Sequence, residues 1–214
     1  MRFRILTLVV SILLSFSSFA AADDLTTEIQ KTYDSIKTFS ADFTQTLTNA
    51  ASKEQDVRFG KITFKQPSLL RWESVKPEPE LLIVGESIVW NYFPEDKLAL
   101  KYRTQQLFNS KTMIKFISGQ AKLEEDFVVE NQGDENGLIK LKLLPIEPET
   151  GMVLAFAWID QEKKMMRKVL VVDFYGNGNE VAMSNIAIDP DVDDSVFEFV
   201  PPADVDVEDN TQSK

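Results

Sequence analysis

The stretch from Phe59 to Pro94, FGKITFKQPSLLRWESVKPEPELLIVGESIVWNYFP, constrains the fold more than any other part of the chain. Short apolar runs rich in Ile, Val, Phe, Trp and Tyr alternate with breakers at Gln66-Pro67-Ser68, Lys76-Pro77-Glu78-Pro79 and Gly85-Glu86-Ser87. Runs of that length, cut by turn residues, predict consecutive antiparallel strands. Large side chains recur at alternate positions: Ile62 and Phe64, Leu70 and Trp72, Leu82 and Val84, Trp90 and Tyr92. Side chains at i and i+2 share one face of a strand. One face of a curved sheet is therefore expected to be lined with bulky apolar groups. Such a face either packs against a second layer or encloses a cavity.

The first residues read as an export signal. Arg2 and Arg4 form a positive n-region, Ile5 to Phe16 an apolar h-region, and Ala20-Ala21-Ala22 a small-residue cleavage site before Asp23. This pattern predicts a cleavable signal peptide over residues 1–22 and a mature chain in the periplasm. The remainder has the size of one domain, expected over residues 23–204, followed by a polar tail at 205–214.

The chain holds neither Cys nor His. That removes Ser-His-Asp and Cys-His catalysis, His-ligated zinc and the usual general base near neutral pH. The net charge of −11 is repelled by phosphate backbones and anionic headgroups, so no nucleic-acid partner is expected.

Apolar residues at Leu25, Ile29, Tyr33 and Ile36 mark one face of a helix over Leu25–Lys37, with Asp24 or Thr26 as N-cap. Phe39, Ala41 and Phe43 then alternate with polar residues, as in a strand. Leu107, Met113, Ile114, Phe116 and Ile117 sit in a short segment ending at Gly119, which predicts a Met-containing helix of the kind that forms a movable lid. Strands resume at Phe127–Asn131 and Leu138–Leu144. A long strand over Met152–Ile159 includes Leu154 and Phe156, and Met165–Asp173 and Glu180–Ile188 follow. About eleven strands without helical crossovers predict a mainly β (α+β) fold, an antiparallel barrel or half-barrel with a few short helices.

Chemical motifs are few. Gly60-Lys61 lacks the rest of a phosphate-binding loop, and Tyr175-Gly176-Asn177-Gly178 reads as a hairpin turn. Asp189, Asp191 and Asp193 have the spacing of calcium-loop ligands, but Asp194 stands where the loop needs glycine and Val200 where it needs a bidentate carboxylate. Carboxylates are plentiful, but none is singled out as a catalytic pair, so no catalytic residue, metal or cofactor is expected. A carboxylate-dependent glycan-active enzyme is the remote alternative.

Phe39-Ser40-Ala41-Asp42-Phe43-Thr44-Gln45 resembles the F-x-A-x-F-x-Q segment of the periplasmic outer-membrane lipoprotein carriers, the LolA family. Gly60, Pro67 with Arg71-Trp72, and Gly85 with Trp90-x-Tyr92-x-Pro94 are similar to its central block, and Phe197-x-Phe199-x-Pro201-Pro202 to its C-terminal signature. The resemblance implies an unclosed half-barrel whose short helices form a lid over a hydrophobic cavity. It implies a monomeric, non-catalytic shuttle that takes acylated lipoproteins from an inner-membrane ABC transporter to an outer-membrane lipoprotein receptor. The expected acyl-chain lining is Phe43, Ile62, Phe64, Leu70, Trp72, Leu82, Val84, Trp90, Tyr92, Leu154 and Phe156. Leu70 is also the expected hook for the transporter. Where many members carry an Arg that ties lid to barrel, this chain has Gln66, whose neutral amide can still hydrogen-bond a carbonyl without charge assistance; the alternative is that another residue such as Arg71 or Arg58 carries the contact. A carrier or sensor of another amphiphile on the same scaffold is the alternative.

Overall fold

The computed structural model of the chain describes residues 17–105 and 121–212, with residues 17–24 as backbone only. The expected lid residues Leu107, Met113, Ile114, Phe116 and Ile117 lie outside the described residues.

The breakers in the Phe59–Pro94 stretch fall between strands, as expected. Helix α1 (Ser17–Ser35) leads into β1 (Thr38–Thr48), and β2 (Gln55–Lys65), β3 (Leu69–Lys76), β4 (Glu80–Val84), β5 (Ile88–Phe93) and β6 (Leu98–Arg103) follow as antiparallel neighbours. The second half comprises α2 (Leu123–Asp126), β7 (Phe127–Glu135), β8 (Leu138–Pro145), β9 (Leu154–Asp160), β10 (Met166–Val172) and β11 (Gly178–Ile188). A 3-10 turn (Asp194–Phe197) and β12 (Asp206–Asp209) close the chain. β1 pairs with both β2 and β11, joining the halves into one sheet of order β12-β6-β5-β4-β3-β2-β1-β11-β10-β9-β8-β7. The two ends of that order do not pair, so the sheet is open.

Two elements differ from the sequence expectation. α1 runs back to Ser17, because the Ala20-Ala21-Ala22 run is a strong helix former that carries the helix past any cap at Asp24 or Thr26. The segment expected to be a polar tail contributes β12, which pairs parallel with β6.

One face of the sheet carries the main core. Phe39, Ala41 and Phe43 of β1 share it with Ile62 and Phe64, Leu70 and Trp72, Val84, Val89, and on the other half Leu141, Leu143, Ala155, Ala157, Val169 and Val181. α1 lays Leu25 and Ile29 onto this face, and Ile36, just after the helix, joins them. It is tied down on both halves of the sheet. The Tyr33 hydroxyl accepts a hydrogen bond from the Met166 N–H (3.2 Å), and Lys164 pairs with Glu28 (3.1 Å). On the other side the Gln66 side chain donates to the Asp34 carbonyl (3.3 Å) in the last turn of α1. The start of α2 is fastened to α1: Thr26 and Thr27 donate to Glu124, and Lys122 pairs with Asp34.

Candidate functional site: an apolar hollow at the end of the sheet away from the first helix

Burial on the inner face falls away from α1. Along β1, Phe39, Ala41 and Phe43 are buried, whereas Gln45 and Leu47 are only half-buried; along β4, Val84 is buried and Leu82 and Glu80 are half-buried. α1 covers one end of the face, and at the other end the sheet bounds a cavity of about 490 Å³. Its lining includes Trp72 of β3 and Leu82 of β4 on one side and Val171 of β10 on the other. β4 and β10 stand five places apart in the sheet order, roughly 24 Å if the sheet were flat. Facing one hollow across that distance requires the sheet to curl, so the inner face is concave.

The floor of the hollow is apolar: Leu47, Trp72, Leu82 and Val171. The Phe43 and Trp72 rings lie 4.7 Å apart, tilted by 47°, between floor and core. The rim is polar. Arg58 reaches Glu80 at 2.9 Å and Asp56 at 2.8 Å. The Gln45 side chain donates to Asn179 at 3.0 Å across β1 and β11. The far lip is the β10–β11 turn, whose Asp173 accepts from the N–H groups of Tyr175 (2.9 Å) and Asn177 (2.8 Å) and from the Asn177 side chain (2.9 Å). Burial alone would raise the Asp173 pKa; these hydrogen bonds outweigh it and hold the carboxyl below the usual carboxylate range. Asn177 also accepts from the Ala50 N–H (3.0 Å), which knits this lip to the β1–β2 turn.

The expected lining divides into three groups. Trp72 and Leu82 border the hollow. Phe43, Ile62, Phe64, Leu70 and Val84 lie on the same face but are buried in the core, most of them toward the end that α1 covers. Trp90, Tyr92, Leu154 and Phe156 are on the opposite, convex face. The register explains the first pair: Val84 stands opposite Val89, so the connection between β4 and β5 reverses the parity, and Asn91 rather than Trp90 or Tyr92 shares the face of Leu82. Trp90 and Tyr92 instead pack on Phe199 of the C-terminal segment, at 5.7 and 5.1 Å between ring centres. In β9 the small Ala155 and Ala157 face the core. Phe156 and Trp158 turn outward under the lysine stems of Lys140 and Lys168, with the Lys168 ammonium 3.7 Å above the Trp158 ring.

The partner assignments change too. Leu70 is fully buried and cannot serve as an exposed hook. Arg71 is on the convex face, paired with Glu73 (2.9 Å) and donating to the Val196 carbonyl, so it touches neither α1 nor the hollow. Gln66 binds α1 directly, and Arg58 stands at the rim. Asp189 and Asp193 cap backbone: Asp189 accepts from the N–H groups of Lys37 and Thr38, and Asp193 from that of Ser195. Sequence reading missed Leu47, Val171, Glu80, Gln45 and Asn179. Strand parity counted from Phe43 would have found Gln45 and Leu47, whereas Glu80 and Asn179 carry no apolar signal.

An open, largely antiparallel sheet curled round an apolar hollow, with a helix across its inner face, defines a binding scaffold for apolar groups. Residues 34–200 match the family model for the outer membrane lipoprotein carrier protein LolA, and the chain belongs to that family. It is 28% identical over 174 residues to the outer-membrane lipoprotein carrier protein of Methylococcus capsulatus, covering 81% of this chain and 82% of that one. It is 26% identical over 175 residues to that of Dechloromonas aromatica, covering 80% and 81%. Among solved structures, an uncharacterized conserved protein from Thermus thermophilus shares the fold with a TM-score of 0.59 at 13% identity, over 88% of this chain and 99% of that one.

Proposed function

We propose that the protein is a periplasmic shuttle for acylated lipoproteins: the hollow shields acyl chains between release by an inner-membrane ABC transporter and delivery to an outer-membrane receptor. One observation carries this reading, the apolar hollow of about 490 Å³ on the concave face. It falls within the roughly 300–1,000 Å³ of small-molecule sites. The carrier names of the family's relatives support it.

Burying a methylene contributes about 0.8 kcal/mol, so a sixteen-carbon chain contributes roughly 12 kcal/mol before losses. A carrier must shield such chains yet give them up. A hollow open at one end, with half-buried walls at Leu47 and Leu82, suits partial burial and moderate affinity. In this proposal the segment holding Leu107, Met113, Ile114, Phe116 and Ile117 completes the cover, and residues 1–22 direct export. Nothing in the function calls for catalysis.

The test is native mass spectrometry of the protein isolated from the periplasm, followed by titration with a synthetic tripalmitoylated peptide against a neutral hydrophobic dye. Co-purification of an acylated polypeptide and displacement of the dye by the peptide are expected, with both reduced in Leu82→Glu. A protein that binds neither dye nor peptide overturns the reading.

A further inference from the structure

We propose that the mouth of the hollow selects acyl chains carried on an uncharged linker and rejects fatty acids and other anionic lipids, and that Glu80 sets this selection. The inference rests on the reading of the hollow as an acyl-chain site and adds which headgroups it admits.

The described residues lining the hollow include one cation, Arg58, against two carboxylates, Glu80 and Asp173. Arg58 is not available to an incoming anion. Its guanidinium is held by Glu80 from one side (2.9 Å) and Asp56 from the other (2.8 Å). The Arg58 and Glu80 side chains keep only 31% and 25% of their exposure, so their charges are screened less than those of a free surface pair. An anion that captured Arg58 would leave Glu80 half-buried without its partner, which is costly. Across the mouth, Asp173 is kept ionised by the turn it caps. A carboxylate or phosphate arriving above an acyl chain therefore meets net negative charge and, among the described lining residues, no free donor cation.

A neutral linker meets a different rim. Gln45 and Asn179 line the hollow as a hydrogen-bonded amide pair, away from the Arg58–Glu80 ion pair. Esters and amides, the linkages of acyl chains to glycerol and to an N-terminal amine, can hydrogen-bond to these groups without displacing an ion pair. The rim thus opposes the anion and accepts the linker, which is selection by repulsion as much as by attraction.

The experiment compares palmitate with glyceryl monopalmitate, which carry the same chain, as displacers of a neutral dye from the mature protein at pH 7.5 and low salt. The monopalmitate is expected to displace at a concentration at least about tenfold lower than palmitate. In Glu80→Gln, which removes one of the two carboxylates holding Arg58 and leaves it paired with Asp56 alone, palmitate should gain about tenfold while the monopalmitate stays within about twofold. Arg58→Gln should act oppositely and weaken palmitate further. Thermal melts of both variants show whether the fold is kept, and 1 M salt added to the native protein should narrow the gap between the lipids without any mutation. Equal displacement of the native protein by both lipids, or equal shifts for both in the two variants, overturns the headgroup filter while leaving the acyl site standing. Failure of both lipids to displace the dye overturns the acyl site itself.

Discussion

Phe43 and Gly60 stand directly opposite each other on β1 and β2, and the phenylalanine ring occupies the space that a side chain at position 60 would need. A Cβ on Gly60 would lie 2.7 Å from two carbons of the Phe43 ring and would overlap the Glu73 carbonyl of β3. The sheet is irregular here, with a register shift between Phe59 and Gly60. The glycine lets β3 approach and lets Phe43 lie against Trp72 between the core and the hollow. Gly60→Ala must push either the ring or the strand. It is expected to cost about 3 kcal/mol and to lower Tm by roughly 5–10 °C. A denaturation curve within about 2 °C of the native protein would contradict this packing.

Leu70 gives the second prediction. It is fully buried beside Phe64 and Val84, so Leu70→Ala removes core contacts and should cost about 2–5 kcal/mol. Leu70→Glu places a charge where none can be paired and should prevent folding altogether. Circular dichroism of the two variants separates this from a role in partner contact: a folded Leu70→Glu protein that fails only in loading would restore Leu70 as a hook.

Gln66 ties the end of α1 to the β2–β3 connection through a neutral hydrogen bond to the Asp34 carbonyl. Gln66→Ala should cost about 1 kcal/mol or less and speed hydrogen exchange in the last turn of α1. Gln66→Arg can make a charge-assisted bond to the same carbonyl and to the dipole at the helix end, so it should slow exchange there relative to the native chain. Unchanged exchange in both variants would show that this contact does not hold the helix.

Tyr33 supplies a pH dependence. Its ring is half-buried but its hydroxyl is sunk among apolar groups, and burial pushes the phenol up to about 12 against the opposing hydrogen bond from the Met166 N–H. The folded state favours the protonated form. Its contribution is therefore fully present below the unfolded value of about 10 and is lost as pH rises through the folded value of about 12. Absorbance at 295 nm should show one of the four tyrosines ionising last, coincident with alkaline loosening of α1. In Tyr33→Phe that late step should vanish, and stability should depend less on pH above 10. Four tyrosines titrating together would contradict the buried hydroxyl.

The strands of the first half were legible because Pro67, Pro77, Pro79 and Gly85 interrupt apolar runs that nothing but strands can use. Face assignment carried only as far as parity did. Within β2, β3 and β4 it holds, and at the β4–β5 connection it inverts, because the count of turn residues flips the face and composition does not reveal the count. In β9, size misleads: the aromatic Phe156 takes the convex face and alanines face the core. β12 is acidic and poor in strand formers. It exists because β6 offers an unpaired edge, and the Lys97–Asp204 and Lys101–Asp209 pairs flank it. The hollow's polar rim was least visible, since Arg58 and Glu80 come together only across β2, β3 and β4.

The three tryptophans report separately on the two faces. Trp72 borders the hollow, Trp90 packs on Phe199 on the convex side, and Trp158 lies under Lys140 and Lys168 with its indole N–H donating to Glu135 at 2.8 Å. An acyl chain entering the hollow would replace solvent beside one indole and leave the other two untouched. Binding of glyceryl monopalmitate should therefore blue-shift or enhance emission from the native protein. Trp72→Phe should abolish the change, at little cost to stability because an aromatic ring still meets Phe43. Trp90→Phe and Trp158→Phe should retain it. The order of these effects separates the concave site from any alternative on the convex face: a response that survives Trp72→Phe and is lost with Trp90→Phe would put the lipid against the C-terminal segment at Phe199.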